Sequence, residues 1–412
     1  MGAEPGLGAT APGAAPPAVT GGPARLSWIR YAGLGYALAV LLTGTNLPTP
    51  LYAVYERAFR LSPLDVTLLV AVYAAAVIVS LMVCGPLSDA VGYRPVLAAG
   101  LVVAAAGAGL LAAASSPGWL FAGRAVQGLA VGAASGALTA GLVLTEPHGR
   151  TARASFLAAI TTTGACGFGP VLAGALAQFA ADPRVLCYLV EIGLLVPALG
   201  AVAMLPASLG AAGRRWRPQR PRIPAGIRRQ FVLPAVVSLI GWAVAYVTLA
   251  LVPSYTAAAL GRGSLFIDGS AAGSLLLFAA AAQAAFRWLA PRRAQASGLV
   301  LLVIGLLGLI LAGQADRAAL LFATIAVTGA GLGLGFAGSV SRINAMAPAA
   351  ARAGTVAMFY VVTYAGSGLA TVGVGLLATH LGLVRSVQVF AAAFAAAALM
   401  ALAALRASRP AG

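Results

Sequence analysis

Residues 63–95 read PLDVTLLVAVYAAAVIVSLMVCGPLSDAVGYRP, an apolar run that is followed at once by a short turn. The apolar run is long enough to cross a bilayer as a helix, which needs roughly 20 residues. In the turn, Gly92 supplies the φ freedom that a tight connection requires. This stretch therefore predicts a membrane-spanning helix, a tight turn and a second helix that returns across the membrane.

The amino-acid composition is that of a membrane protein. Of the 412 residues, 61% are hydrophobic and only 8% are charged, whereas a soluble globular chain carries about 25% charged residues. The chain could not cover a water-facing surface with so few charges. The formal net charge of +17 does not indicate a nucleic-acid partner, because nucleic-acid binders display their basic residues on a soluble face.

Charges, prolines and glycines divide the chain into twelve apolar segments of spanning length. They lie at approximately 29–54, 63–87, 94–115, 118–145, 152–180, 184–207, 230–259, 268–289, 294–314, 318–341, 352–379 and 384–406. The sequence thus predicts an all-α polytopic membrane protein with twelve transmembrane helices.

A basic linker at 208–229, with seven arginines and no acidic residue, predicts a boundary between two six-helix bundles. We expect these bundles at 29–207 and 230–406, with a flexible cytoplasmic tail at 1–28 and a short one at 407–412. A shift of 203 residues aligns several glycines, prolines and acids of the two halves, among them Pro50 with Pro253, Asp65 with Asp268 and Gly128 with Gly331. The bundles are therefore expected to be pseudo-symmetric repeats, and many secondary transporters build a midplane site between such repeats.

The distribution of arginine predicts the orientation in the membrane. Cytoplasmic loops carry an excess of basic residues. With both termini in the cytoplasm, 19 of the 26 basic residues lie on the cytoplasmic side, six lie on the other side, and Arg124 falls within a span. We expect a multi-pass protein of the cell (plasma or inner) membrane.

The turn after the second span contains Gly85, Asp89, Gly92 and Arg94 in the pattern G-x-L-S-D-x-x-G-x-R, written out from Pro86 as PLSDAVGYR. Its charges could simply cap or pair with neighbouring helix ends. The pattern resembles the loop signature of the major facilitator superfamily. The resemblance implies that Asp89 docks against the start of helix 11 and that the loop holds a cytoplasmic gate, although Ala90 stands where the family often has a basic residue.

Arg124 is the single basic residue deep within a predicted span, and an arginine there is costly unless it faces a wet cavity or a partner. Gln127 shares its helix face at i+3. A structural ion pair would also explain Arg124. The context L-x-x-x-R-x-x-Q-G resembles the helix 4 motif of the same superfamily, which implies a role in substrate binding or proton transfer.

Helix 5 contains Gly164, Gly169, Pro170 and Gly174 within the run GACGFGPVLAG. Glycines permit close helix contact and a Gly-Pro pair can bend a helix, so packing alone would explain the run. It is also similar to the antiporter motif of the superfamily's drug:proton exchangers, with Ala173 in place of a usual glycine. The resemblance favours export by antiport.

Glu191 is the one carboxylate well inside a predicted span. Such a group could exchange protons, or it could remain ionised in a structural pair with Arg124 or Arg184. Asn46, Trp242, Tyr246 and Tyr364 lie on helices that are expected to line a central cavity. Helix packing is the alternative role for each of them, and a largely apolar, aromatic pocket suits an amphipathic solute.

Cysteine and histidine are too scarce and scattered for common catalytic or metal sites. Three cysteines lie far apart in apolar runs, and two histidines fall on opposite predicted faces. The run GLGFAG at 333–338 satisfies the dinucleotide pattern but follows no strand and precedes no acidic residue. We expect no enzyme activity, no cofactor and no metal.

The sequence favours a secondary active transporter with alternating access, and we expect proton-coupled efflux of a small amphipathic compound. The alternative is a facilitator or importer of a sugar-like or other small metabolite. The expected partners are a small-molecule substrate, protons and the lipid bilayer, with the chain acting as a monomer.

Overall fold

The structure, a computed structural model, describes residues 24–85, 87–179, 181–207, 209, 216, 221–260, 264–315, 318–348 and 351–408. The side chains of residues 24, 89, 252–260, 313–315 and 318 lie outside this description. Within the described ranges the chain forms helices and no strand.

The described part of the N-terminal half contains eight helices. They are α1 (Ala24–Asn46), α2 (Pro48–Phe59), α3 (Pro63–Cys84), α4 (Leu87–Val91), α5 (Tyr93–Ala112), α6 (Pro117–Thr145), α7 (Thr151–Phe179) and α8 (Pro183–Ala203).

The C-terminal half begins with a 3₁₀ turn at Ala225–Ile227 and continues with six helices. They are α9 (Arg228–Leu260), α10 (Leu265–Ala285), α11 (Pro291–Ala315), α12 (Ala318–Met346), α13 (Arg352–Leu381) and α14 (Leu383–Ala407).

Twelve helices in the described part of the chain are long and apolar enough to cross a membrane, which confirms the predicted fold class. The first span, Arg25–Phe59, consists of α1 and α2 together, and the short helix α4 lies in the predicted turn. Because the number of spans is even, Ala24 and Ser408 lie on the same side of the bundle. We call that side the terminal face and the opposite side the far face.

Helix starts are fixed by local sequence. Ser62 caps α3 and forms a reciprocal capping box with Asp65: the Ser62 backbone N–H donates to Asp65 Oδ2 at 2.8 Å, and the Asp65 N–H donates to Ser62 Oγ at 3.2 Å. Such caps satisfy backbone donors that the first turn of a helix leaves unpaired. Pro63, at the first helical position, has no N–H to satisfy.

The two halves meet most extensively through two helix pairs, α7 with α10 and α3 with α13. Glycine makes these approaches close: a Cβ at Gly174 would lie 2.5 Å from the Leu265 carbonyl oxygen, and a Cβ at Gly375 would overlap Thr67. Both contacts lie near the far face. The halves are therefore packed closely near the far face.

Candidate functional site

Arg124 lies on α6 in the middle of the bundle, with only 3% of its surface exposed. Its Nη1 donates to the Thr45 carbonyl oxygen at 2.7 Å and to Gln127 Oε1 at 2.9 Å. The guanidinium carbon lies 4.4 Å from the centre of the Tyr73 ring, a distance at which the ring face attracts a cation. The buried charge is thus stabilised by a carbonyl, an amide and an aromatic face.

A break in the first span supplies the carbonyl groups for this arrangement. The helix stops at Asn46 and restarts at Pro48, and proline has no N–H to donate to the carbonyl four residues earlier, which is that of Gly44. The Gly44 oxygen accepts instead from the Leu47 N–H and from Gln127 Nε2, both at 3.3 Å. The predicted pair Arg124 and Gln127 therefore binds the interrupted backbone of helix 1.

Glu191 lies on α8, also with 3% of its surface exposed. Its carboxylate fits directly against the backbone of Gly44, where a Cβ would overlap it. Neither Glu191 Oε2 nor Arg124 Nε has a hydrogen-bond partner within the described residues. Both side chains therefore contact the same part of the broken helix, Arg124 at the Thr45 carbonyl and Glu191 at Gly44.

The ion pair that could have fixed Glu191 in a structural role is not formed among the described side chains. Arg184 pairs with Asp182 at 3.6 Å, at the exposed start of α8. The ion pairs in the described ranges include neither Arg124 nor Glu191. Glu191 thus remains a buried carboxyl without a fixed ionic partner.

The broken helix also contacts α7. Asn46 Nδ2 donates to the Cys166 carbonyl oxygen at 3.0 Å, and the Thr45 hydroxyl lies 3.7 Å from Cys166 Sγ. Gly169 continues this contact, because a Cβ there would overlap the Thr43 carbonyl. Asn46 therefore joins the end of α1 to α7, the helix that carries the predicted helix 5 motif, at the level of the break.

The C-terminal half contributes an aromatic wall. Trp242 lies edge-on to Tyr246, with 6.3 Å between ring centres, and edge-on to Phe336 at 5.5 Å. Tyr364 lies 6.3 Å from Tyr246 and 6.4 Å from Tyr360. Trp242 Nε1 and the Tyr246 hydroxyl are buried and have no hydrogen-bond partner within the described residues.

The aromatic wall faces the charged group of the N-terminal half. Trp242 and Tyr364 pack against the buried cluster that contains Tyr73 and Cys166, and the Tyr246 ring lies beside both of them. The structure therefore brings together residues predicted separately on helices 1, 4, 6, 7 and 11, namely Asn46, Arg124, Gln127, Glu191, Trp242, Tyr246 and Tyr364.

Three members of this site were not predicted: Tyr73, Gly44 and Cys166. Tyr73 is the aromatic residue of the second span, and that was the available signal. Gly44 and Cys166 have no signal in the sequence, because their roles arise from contacts with distant helices.

The predicted helix 5 motif lies on α7, where this helix packs against α10 of the other half. We call this contact between α7 and α10 the seam. Gly174 packs on α10, and a Cβ at Gly269 of that helix would overlap the Pro170 carbonyl. Gly164, nearer the terminal face, has more space, because a Cβ there would lie 3.7 Å from its nearest neighbour, the Ala280 side chain. The seam is thus tightest toward the far face.

The predicted gating loop contains the glycine turn that the sequence required. Gly92 has φ 92° and ψ 162° and caps α5, a conformation that favours glycine. Gly85 ends α3, and Arg94 is exposed on the terminal face. The side chain of Asp89 lies outside the described residues.

The described residues contain no group of three or more histidine, cysteine, aspartate or glutamate side chains that could hold a metal ion. The site's polar chemistry consists of one arginine, one carboxyl, amides, hydroxyls and an indole N–H. Such a set can bind a small molecule and exchange protons.

Twelve spans in two halves, with a polar site buried between them, define a membrane carrier. The chain belongs to the Major Facilitator Superfamily, whose family model matches residues 33–320. A search of curated protein sequences gives no significant match.

Solved transporter structures share the fold. A mutant of the nucleoside transporter NupG superposes with a TM-score of 0.68 at 14% identity, covering 93% of this chain and 99% of that one. A bacterial homologue of the human lysosomal transporter Spinster, in an inward-facing and unoccupied conformation, superposes with a TM-score of 0.72 at 14% identity. The match covers 93% of this chain and 98% of that one.

Proposed function

We propose that this protein is a proton-coupled efflux carrier for a small amphipathic compound and works by alternating access. It acts as a monomer in the cell (plasma or inner) membrane with both termini in the cytoplasm. The bundles at 29–207 and 230–406 rock against each other, joined by the linker at 208–229, with tails at 1–28 and 407–412.

The observation that carries this proposal is the buried carboxyl of Glu191 beside the broken helix 1. A buried charge without a fixed partner is costly, so the group gains from binding a proton or from approaching Arg124. Either change acts directly on Gly44 and, through Gln127, on the hydrogen bonds of Arg124. Proton binding at Glu191 is thereby linked to the geometry of the substrate site.

The aromatic wall supports an amphipathic substrate. Trp242, Tyr246 and Tyr364 offer apolar surface, while Trp242 Nε1, the Tyr246 hydroxyl and Arg124 Nε are buried donors without a partner in the described chain. Buried donors are costly when unpaired. A planar compound that carries hydrogen-bond acceptors would satisfy them and cover the rings.

Export is favoured over import by the helix 5 sequence, which resembles the motif of drug:proton exchangers. Gly174 and Gly269 close the seam near the far face, in a state that both exporters and importers pass through. The second candidate is a facilitator or importer of a small metabolite. The fold that the chain shares with a nucleoside transporter makes nucleosides a reasonable part of any substrate panel.

The test is uphill flux in proteoliposomes under an imposed proton gradient, with a panel of aromatic amphiphiles, nucleosides and sugars. We expect Glu191→Gln to exchange solute between the two sides but to lose proton-driven accumulation, because the amide cannot bind and release the proton. Asp182→Asn is the matched control, since asparagine caps a helix as well as aspartate. Proton-driven accumulation that survives in Glu191→Gln would exclude Glu191 as the coupling group.

A second prediction concerns substrate recognition. Trp242→Phe keeps an aromatic ring and removes one buried donor, so the apparent KM for an acceptor-bearing substrate should rise by up to about tenfold with little change in maximal rate. Trp288→Phe, at a highly exposed tryptophan outside the site, should leave both values unchanged. An unchanged KM in Trp242→Phe would mean that the indole N–H does not contact substrate.

A further inference from the structure

Polar side chains extend along α8 from Glu191 toward one side of the membrane only. On the far-face side of Glu191, the positions that share its helix face are occupied by Tyr188, Cys187 and Arg184. The positions that continue the same face toward the terminal face are apolar, namely Leu194, Leu195 and Ala198. On this helix, a proton therefore meets polar side chains next to Glu191 only when it approaches from the far face.

A buried pair of hydroxyl groups links this face of α8 to α2. Tyr55 Oη donates to Tyr188 Oη at 3.1 Å, and both side chains are fully buried. A hydroxyl group can accept one hydrogen bond and donate another, so the Tyr188 hydroxyl keeps a proton to donate.

Glu191 offers an acceptor for that proton. Its Oε2 has no hydrogen-bond partner within the described residues. Residues three positions apart on a helix have Cβ atoms about 5–6 Å from each other. A change of the Glu191 rotamer or one water molecule closes the remaining gap between its carboxyl and the Tyr188 hydroxyl.

The hydroxyl pair lies on the far-face side of Glu191. Tyr55 is four residues, or about 6 Å, from the end of α2. On α8, Arg184 pairs with Asp182 at the exposed start of the helix. Cys187 is used elsewhere, because its Sγ donates to the Ala173 carbonyl of α7 at 3.6 Å.

We propose that Tyr55 and Tyr188 relay protons from the far face to Glu191. Tyr188 passes its hydroxyl proton to the Glu191 carboxylate and takes up the proton of Tyr55, and Tyr55 takes up a proton from water on the far face. Each hydroxyl loses one proton and gains one, so both tyrosines end neutral and only Glu191 changes its charge.

This relay rests on the proposed coupling role of Glu191 and adds the route and the side of proton entry. In the proposed orientation the far face is the outer side of the membrane. The proton that drives export therefore enters from outside, opposite the backbone of helix 1 at Gly44, which contacts the Glu191 carboxylate.

The test compares proton-driven accumulation with counterflow, which needs no proton gradient, in proteoliposomes. The probe is whichever labelled aromatic amphiphile, nucleoside or sugar the wild type accumulates. Combining Tyr55→Phe with Tyr188→Phe removes both hydroxyls, and replacing both partners of a hydrogen bond by apolar groups of the same shape is nearly neutral for stability. We expect the rate of proton-driven accumulation to fall roughly tenfold or more, while counterflow keeps the wild-type rate.

Tyr36→Phe is the matched control. Tyr36 Oη donates to the Leu194 carbonyl of α8 at 2.9 Å, so this change also removes a tyrosine hydroxyl that binds α8, but away from the proposed relay. Both rates should stay at the wild-type level. Tyr188→Phe alone decides the outcome if the double variant does not fold.

Glu191→Gln, measured in parallel, separates failure of the relay from failure of the proposed function. If Glu191→Gln loses proton-driven accumulation while the double variant keeps the wild-type rate, the relay is wrong and the coupling role of Glu191 stands. Equal loss of counterflow and accumulation in a folded double variant would overturn the relay in favour of a structural hydrogen bond. Proton-driven accumulation that survives in Glu191→Gln, or a wild type that accumulates no compound of the panel, would overturn the coupling role and the relay together.

Discussion

Arg124→Ala should reduce substrate exchange by about 100-fold or more, the largest effect expected for any single side chain of the site. The change removes two hydrogen bonds of a charged group, each worth roughly 1.5–3 kcal/mol, and the contact with the Tyr73 ring. It also removes the buried positive charge of the site. Exchange of a labelled substrate in proteoliposomes measures the loss.

Two controls separate this role from general destabilisation. Arg57→Ala removes an exposed arginine whose Nε donates to the Ala53 carbonyl at 3.1 Å, and it should leave exchange nearly unchanged. Arg124→Lys keeps the charge but has no planar fork to bind a carbonyl and an amide together, so it should restore little activity. An Arg124→Ala protein that folds and retains half of the wild-type exchange rate would contradict this role.

Gly269→Val should reduce exchange by about tenfold or more, for a different reason. The added side chain would overlap the Pro170 carbonyl across the seam between α7 and α10. Overpacking costs typically about 1–3 kcal/mol. That cost applies only to states in which the seam is closed, so their population should fall about tenfold or more.

The matched control is Gly373→Val on α13, because a Cβ at Gly373 meets nothing within 4 Å. Both variants place valine at a glycine within a spanning helix, so they share the effect on helix propensity. Exchange rates of the two proteins within twofold of each other, at equal thermal stability, would show that seam closure is not part of the transport cycle.

The sequence predicted the features that depend on composition and local pattern. Twelve spans follow from hydropathy, the turn at Gly92 follows from the need for positive φ, and Arg124 stands out because a charge in a span is rare. Each of these signals lies within a single short segment. These signals do not depend on how the helices pack against one another.

Contacts between distant helices could not be predicted in this way. The fit of Glu191 against Gly44 and the stacking of Tyr73 on Arg124 depend on how α8, α3 and α6 rotate about their axes. Pro48 was a sequence signal for the break in the first span. The contact of Arg124 with the carbonyl groups at the break depends in addition on the position of α6. The pairing of Arg184 with Asp182 likewise removed an ion pair that spacing alone allowed.

Counterflow shows whether one buried site is exposed alternately to the two sides of the membrane. Proteoliposomes are loaded with unlabelled substrate and diluted into a trace of labelled substrate, with no proton gradient. Alternating access predicts a transient overshoot of labelled substrate inside wild-type vesicles and none with Arg124→Ala. Simple equilibration without an overshoot, for every compound that binds the purified protein, would contradict alternating access.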